Sequence, residues 1–91
     1  MKHEVRLHPS AAKFLGGQSE EVKNRIRSAL HQLEQDPFRS RPKADIKKLE
    51  GTKGRRDLFR LRVGDYRVIY AVEGNVVWVT EIFLRGRGYR V

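Results

Sequence analysis

Residues 58 to 70, LFRLRVGDYRVIY, read as a tight β-hairpin with two unlike faces. Leu58 to Val63 alternate strictly, Phe59, Leu61 and Val63 on one side and Leu58, Arg60 and Arg62 on the other, which is the period of a strand. Gly64-Asp65 supplies the turn, and glycine at the first central position suits a type II′ geometry that fixes the register. Counting outward, Val63 faces Tyr66, Leu61 faces Val68 and Phe59 faces Tyr70 on an apolar side. On the other side Arg62 faces Arg67 and Arg60 faces Ile69. Like charges directly opposed across a pair of strands cost on the order of 0.2–1 kcal/mol, so this cationic face is no stability device. It points to an anionic ligand, against the plainer reading of long side chains splayed into solvent over their apolar stems.

Outward from the hairpin, Gly74-Asn75 is a second turn signal and Val76 to Leu84 a last strand. Val77 and Val79 continue the apolar face, but unbroken alternation would then bury Glu81, so a bulge is expected near Thr80. The tail Arg85-Gly86-Arg87-Gly88-Tyr89-Arg90-Val91 leaves the sheet. Upstream, Lys2 to Leu7 predicts a first strand with His3, Val5 and Leu7 on one face, ended by Pro9. Ser10 is expected to cap a short helix with Ala11, Phe14 and Leu15 inward, stopped by Gly16-Gly17. Ser19 caps a longer helix, with Glu20 and Glu21 beside the positive end of its dipole. Val22, Ile26, Ala29, Leu30 and Leu33 form its apolar stripe, and it ends near Asp36-Pro37. Residues 37 to 57 read mostly as connection, anchored by Ile46 and Leu49, with Gly51 making a turn. The expected class is α+β: a small antiparallel β-sheet with an N-terminal helical hairpin packed on one face, as one domain over residues 1–91.

The chain has 91 residues and no cysteine, which excludes disulfides, thiol catalysis and thiolate metal sites. A domain this size buries roughly 60–65% of its unfolded surface without such staples. No apolar run is long enough to span a membrane and no leader pattern opens the chain, so a cytoplasmic location is expected. Its net charge of +9 points to nucleic acid or an acidic protein partner. Residues 1 to 35 carry six Lys/Arg against four Asp/Glu, and residues 36 to 91 carry fourteen against seven. The basic surface belongs to the sheet half.

His3, His8 and His31 have no metal-ligand or paired spacing, and no phosphate-binding loop, nucleophile elbow or zinc-protease motif is present. The carboxylates are scattered, whereas a metal-dependent nuclease needs them clustered. What converges is Arg60, Arg62 and Arg67 on the sheet face with Arg85, Arg87 and Tyr89 on the tail. Guanidinium forks match phosphate oxygens and a tyrosine ring can stack on an unpaired base. Such a pocket can also stabilise charge developing on a phosphodiester. Lys47 and Lys48 are candidates to track RNA, although solvated lysines would look the same. Trp78 shares the parity of the open face. A lone sheet tryptophan more often packs on a neighbouring strand or partner, and Trp78 is left outside the expected site.

KLEG (Lys48 to Gly51), LFRLRVGDYRVIY (Leu58 to Tyr70) and RGRGY (Arg85 to Tyr89) resemble the RelE branch of the RelE/ParE toxin superfamily, over nearly the whole chain and in the same order of elements. The hairpin motif is specific to the superfamily rather than to one branch. The resemblance implies a RelE-like fold and a toxin of a type II toxin-antitoxin system. It implies a ribosome-dependent endoribonuclease that cuts messenger RNA in the ribosomal A site, needs no metal or other cofactor, and is silenced by a RelB-like antitoxin. In the family scheme the RNA 2′-OH attacks the adjacent phosphate, leaving a cyclic phosphate and a 5′-OH. By motif, the basic positions of the first hairpin strand fall on Arg60 and Arg62, that of the G-x-Y-R element on Arg67, and the C-terminal pair on Arg85 and Tyr89. Some relatives carry lysines at the positions of Arg60 and Arg62. Arginine, with a pKa above ~12, is a poor proton shuttle. Arg60, Arg62 and Arg67 are therefore expected to hold the phosphate and its developing charge, Arg85 to serve the leaving oxygen, and Tyr89 to stack or assist deprotonation. Two other readings stay open: a ParE-like toxin that blocks DNA gyrase by binding it, and a passive RNA-binding module or inactive relic.

Overall fold

A computed structural model of the chain describes residues 2–50 and 57–86. It contains β1 (Glu4–Leu7), α1 (Pro9–Gly16), α2 (Glu20–Gln35), β2 (Asp45–Lys48), β3 (Leu58–Val63), β4 (Tyr66–Glu73) and β5 (Val76–Leu84). The strands form one sheet in the order β1-β5-β4-β3-β2, and the two helices cover one of its faces.

The β3–β4 hairpin has the register that its turn dictates: Val63 pairs with Tyr66, Arg62 with Arg67, Leu61 with Val68, Arg60 with Ile69 and Phe59 with Tyr70. Gly64 has φ +58, while no non-glycine among the described residues has a positive φ, as a type II′ turn requires. The expected bulge is present. Ile69 pairs with Glu81 but Tyr70 with Val79, so Thr80 is the extra residue of β5. It lets Val79 and Ile82 both face the core and turns Glu81 to the open side.

The core lies between helices and sheet. Ala11 and Leu15 of α1, and Ile26, Leu30 and Leu33 of α2, pack on Ile46, Leu61, Val63, Val68, Tyr70, Val77, Val79 and Ile82. Tyr70 is fully buried, stacks on Phe59 with ring centroids 5.5 Å apart, and donates its hydroxyl to the Pro37 carbonyl at 2.7 Å. Burial pushes the Tyr70 phenol well above its ordinary value of 10.0, so it stays protonated and serves the fold. Val22, Ala29 and Phe14 complete the helical faces as partly buried residues.

Four details depart from the expected layout. The sheet is not wholly antiparallel: β1 runs parallel to β5, Val5 beside Val77 and Leu7 beside Val79. A short alternating strand carries no sign of its direction, and the helical hairpin that follows β1 carries the chain to the opposite edge. That edge is the second departure, since Asp45–Lys48, read as connection, is β2, antiparallel to β3. Third, α1 is capped by His8. Its Nδ1 accepts from Ser10 N–H at 3.3 Å and Pro9 takes the first helical position, where a missing N–H costs nothing. Ser10 instead donates its hydroxyl to the Thr80 carbonyl at 3.2 Å, tying α1 to the bulge. Fourth, Leu49 is half-buried and, one register step beyond Lys48, belongs to the open face rather than the core.

Ser19 caps α2 as expected, its hydroxyl accepting from Val22 N–H at 3.3 Å. Beyond the other end, Arg41 donates to the Gln32, Asp36 and Arg39 carbonyls, supplying the cation that the last turn of α2 lacks. Among the described residues no helix is long and apolar enough to cross a membrane. β5 ends at Leu84, and Arg85 and Gly86 form a turn beyond it, while Gly51 and residues 87–91 lie outside the described residues.

Candidate functional site

The open face is built row by row by the register. Arg60 of β3 lies between Lys47 of β2 and Ile69 of β4, and Arg62 lies between Asp45 of β2 and Arg67 of β4. Arg67 is followed in its row by Phe83 of β5. A cleft of about 210 Å³ opens between these rows, lined by Leu49, Arg60, Arg67, Ile69, Phe83, Arg85 and Gly86. Its floor is apolar and three of its walls are guanidinium groups.

Two anchors place the cations, the β3–β4 turn and Asp45 of β2. Arg67 Nη1 donates to the Gly64 carbonyl at 2.9 Å and to that of Tyr66 at 3.0 Å, so the hairpin turn itself orients the group. Arg85 is brought in by its backbone, which donates to the Asp65 carbonyl of the same turn at 2.6 Å. Arg60 Nη2 donates to Asp45 Oδ1 at 3.1 Å, and Arg62 Nη1 stands 4.0 Å from Asp45 Oδ2. The Arg60 Nε–H is buried and has no acceptor among the described residues. An unmet buried donor costs about 1–3 kcal/mol, and an anion in the cleft is the kind of group that would relieve it.

Desolvation lowers the pKa of Arg67 from its ordinary value, and the positive charges of Arg62, Arg60 and Arg85 lower it further, in that order, against a smaller opposing effect of Asp65. Four like charges therefore act on one another here, with Asp45 as partial counterion. That carboxylate is the group sequence reasoning missed. The opposed Arg62 and Arg67 are answered in part from within the chain, by a residue in the stretch read as connection.

The structure brings Arg60, Arg67 and Arg85 to one cleft, with Arg62 at its edge. It separates the two lysines. Lys47 is exposed beside Arg60 on the open face, whereas Lys48 has the parity of the covered face and pairs with Asp57 at 3.2 Å. Arg87 and Tyr89 lie outside the described residues. Leu49, Ile69 and Phe83, which shape the floor, carry no sequence signal beyond alternation. Among the described residues, no group of three or more His, Asp or Glu is placed to hold a metal ion.

Residues 5–89 match the family model described as the ParE toxin of type II toxin-antitoxin system, parDE. The chain belongs to the RelE/ParE toxin superfamily. The solved RelE/ParE-type structures similar to it include the archaeal RelE-RelB complex from Pyrococcus horikoshii OT3, 38% identical, covering 97% of this chain and 100% of that one with a TM-score of 0.79. The RelBE2 toxin-antitoxin complex from Mycobacterium tuberculosis is 21% identical, over 93% of this chain and 100% of the other, with a TM-score of 0.75. The intact RelBE complex from E. coli is 20% identical, over 93% and 99%, with a TM-score of 0.66. The last two show the shared fold. No curated protein sequence matches the chain. As a RelE/ParE superfamily member it is a toxin of a type II toxin-antitoxin system, with the α+β fold its sequence predicts.

Proposed function

We propose that this chain is a ribosome-dependent, metal-independent endoribonuclease of the RelE type, acting on messenger RNA in the ribosomal A site in the cytoplasm and neutralised by a RelB-like antitoxin. The observation that carries the reading is the cleft in which Arg60, Arg67 and Arg85 converge over an apolar floor. The 38% identity to the archaeal RelE supports that branch, as does the fact that several similar toxin structures are complexes with RelB.

In this mechanism a phosphodiester lies across the cleft. Arg67, already oriented by the turn carbonyls, and Arg60, whose Nε–H has no acceptor among the described residues, hold the non-bridging oxygens. Arg62 adds charge at the rim. The 2′-oxygen forms a bond to phosphorus as the bond from phosphorus to the 5′-oxygen breaks. The 2′-OH proton leaves to a base and the departing 5′-oxygen gains one, so the products are a cyclic phosphate and a 5′-OH. Preorganised cations stabilise the extra charge that accumulates on the phosphoryl oxygens. Arg85 faces the leaving oxygen, and Tyr89 stacks on a base or takes the 2′-OH proton. Lys47, exposed beside Arg60, contacts the strand further out, and Arg87 is assigned to RNA binding by its motif. Lys48, turned from this face and paired with Asp57, is the weakest of the RNA-binding candidates.

A second reading, a ParE-like inhibitor of DNA gyrase, is favoured by the description of the matching family model. Primer extension on a translated reporter message after brief expression separates the two. Cuts at codon positions that disappear without translation and weaken in Arg67→Ala and Tyr89→Phe are expected. Growth arrest with intact messages would overturn the nuclease reading in favour of a protein target.

A further inference from the structure

The single tryptophan of the chain stands on the same face as the arginine cleft. Its neighbours along β5, Val77 and Val79, are fully buried under the helices, so the Trp78 indole takes the opposite side, half-buried and outside the core. Across the sheet it lies between Ala71 of β4 and Arg6 of β1. Ala71 is buried although it lies outside the helix-side core, so part of the indole serves packing on the sheet, and the part left open lies beside the Arg6 charge. The Arg6 guanidinium carbon is 5.5 Å from the ring centroid. Arg6 is itself exposed and held by Glu4 through two bonds, Nε to Oε2 at 2.9 Å and Nη2 to Oε1 at 3.2 Å, a fork that orients the guanidinium beside the ring.

Ala71 and Ile69 are successive open-face positions of β4, and Ile69 is the floor of the cleft. Two strand residues advance about 6.8 Å and one strand spacing adds about 4.8 Å across, so Trp78 stands roughly 8 Å from Ile69, within reach of the nucleotide next to the one held in the cleft. The charges divide the face. The cleft is cationic, Arg6 and Glu4 cancel at the indole, and Glu81 lies on β5 between Trp78 and Phe83, where it disfavours a phosphate. A backbone phosphate belongs in the cleft; an uncharged base belongs on the ring.

We infer that Trp78 and Arg6 form a nucleobase-stacking platform for single-stranded RNA whose phosphate occupies the arginine cleft. The inference rests on the reading of that cleft as an RNA site, and adds to it a subsite built from β1 and β5. Every base offers a face to stack on, so the platform grips the strand without reading its sequence. Arg6 stays useful when a base arrives, because a planar guanidinium stacks on bases as well as on indole.

As Trp78 is the only tryptophan, its fluorescence reports this position alone. The free chain is titrated with a single-stranded oligoribonucleotide of about eight residues, its 2′-OH groups methylated to prevent cleavage, while the anisotropy of a dye on the RNA reports binding independently. Quenching of Trp78 that saturates together with the anisotropy is expected. Trp78→Leu should weaken binding on the order of ten-fold, the loss of one base stack, and Trp78→Phe should retain most of the affinity. Anisotropy showing binding while Trp78 fluorescence stays unchanged would overturn the platform and leave the cleft reading standing. No binding by either signal would overturn the platform, and cleavage on programmed ribosomes by the same protein would show separately that the cleft reading stands. The parent titration requires no substitution, so a variant that fails to fold does not decide the result.

Discussion

Asp45 shows how much a single side chain decides at this site. It binds Arg60 at 3.1 Å and stands 4.0 Å from Arg62, so it occupies guanidinium donors that a phosphate would otherwise take. Asp45 and Arg62 are about half exposed and Arg60 about a quarter, so solvent screening leaves the Arg62 pair worth little to stability and the Arg60 pair only modestly more. Their effect is to lower the charge that an incoming anion meets. Asp45→Asn is therefore expected to tighten single-stranded RNA binding several-fold with little change in melting temperature, measured by anisotropy and calorimetry. Weaker binding by this variant would mean that Asp45 orients Arg60 for the ligand rather than competing with it. Asp36 is a second local case. Its carboxylate accepts first from the Phe38 N–H and also from Arg39, which hold its pKa below the ordinary value of 3.8 against the opposing effect of desolvation. A lowered folded-state pKa stabilises above the unfolded value and is lost as pH falls through the folded one. The destabilisation by Asp36→Ala should thus be largest at neutral pH and shrink progressively in acid. A penalty independent of pH would show that the charged form is not what the loop holds.

At the scale of elements, the β3–β4 hairpin both closes the sheet and arms the site. Its turn carbonyls receive Arg67 and the backbone of Arg85, and its Gly64 sits where a Cβ would run into the Arg25 guanidinium from α2. Gly64→Ala pays for a positive φ, about 1–2 kcal/mol, and must also displace Arg25. A drop in stability of that size by denaturant titration is expected, with a larger loss of RNA cleavage than stability alone explains, because Arg67 and Arg85 both hang from this turn. Full activity in a folded Gly64→Ala chain would count against the turn as the organiser. This hairpin was legible in the sequence because six strictly alternating residues, a Gly-Asp turn and a returning strand fix a register with no freedom left. The bulge at Thr80 was legible for a related reason: burying Glu81 would have cost too much. Asp45–Lys48 was not, since four residues give only two cycles of alternation and their context is rich in Pro, Gly and Lys. The direction of β1 and the His8 cap lie in tertiary structure and in one ring orientation, which periodicity does not encode.

For the whole molecule, the charge of +9 is distributed so that the sheet half carries most of it, and the register gathers much of that onto the open face. The amphipathic helices account for one face of the sheet and leave the other for a ligand, so fold and site follow from the same alternation. The convergence of Arg85 on Arg67 was readable as a trend of composition, but its geometry depends on a hydrogen bond between the end of β5 and the β3–β4 turn. If the cleft of Arg60 and Arg67 holds one phosphate and Arg62 and Lys47 each meet another, the affinity for single-stranded RNA falls with salt at a slope of about −0.7 per phosphate, roughly −2 in log units. A slope near zero would move the ligand away from nucleic acid and toward a protein surface.

The most direct test is single-turnover cleavage of a defined message on programmed ribosomes, with the parent chain and Arg67→Ala compared and the new RNA ends identified chemically. The parent is expected to leave a 2′,3′-cyclic phosphate and a 5′-OH at A-site positions. Arg67→Ala, its fold intact by circular dichroism, should be slower on the order of 10²–10³-fold, the size of one transition-state donor. A parent chain that leaves the message whole, or an Arg67→Ala chain that cuts as fast as the parent, would contradict the account.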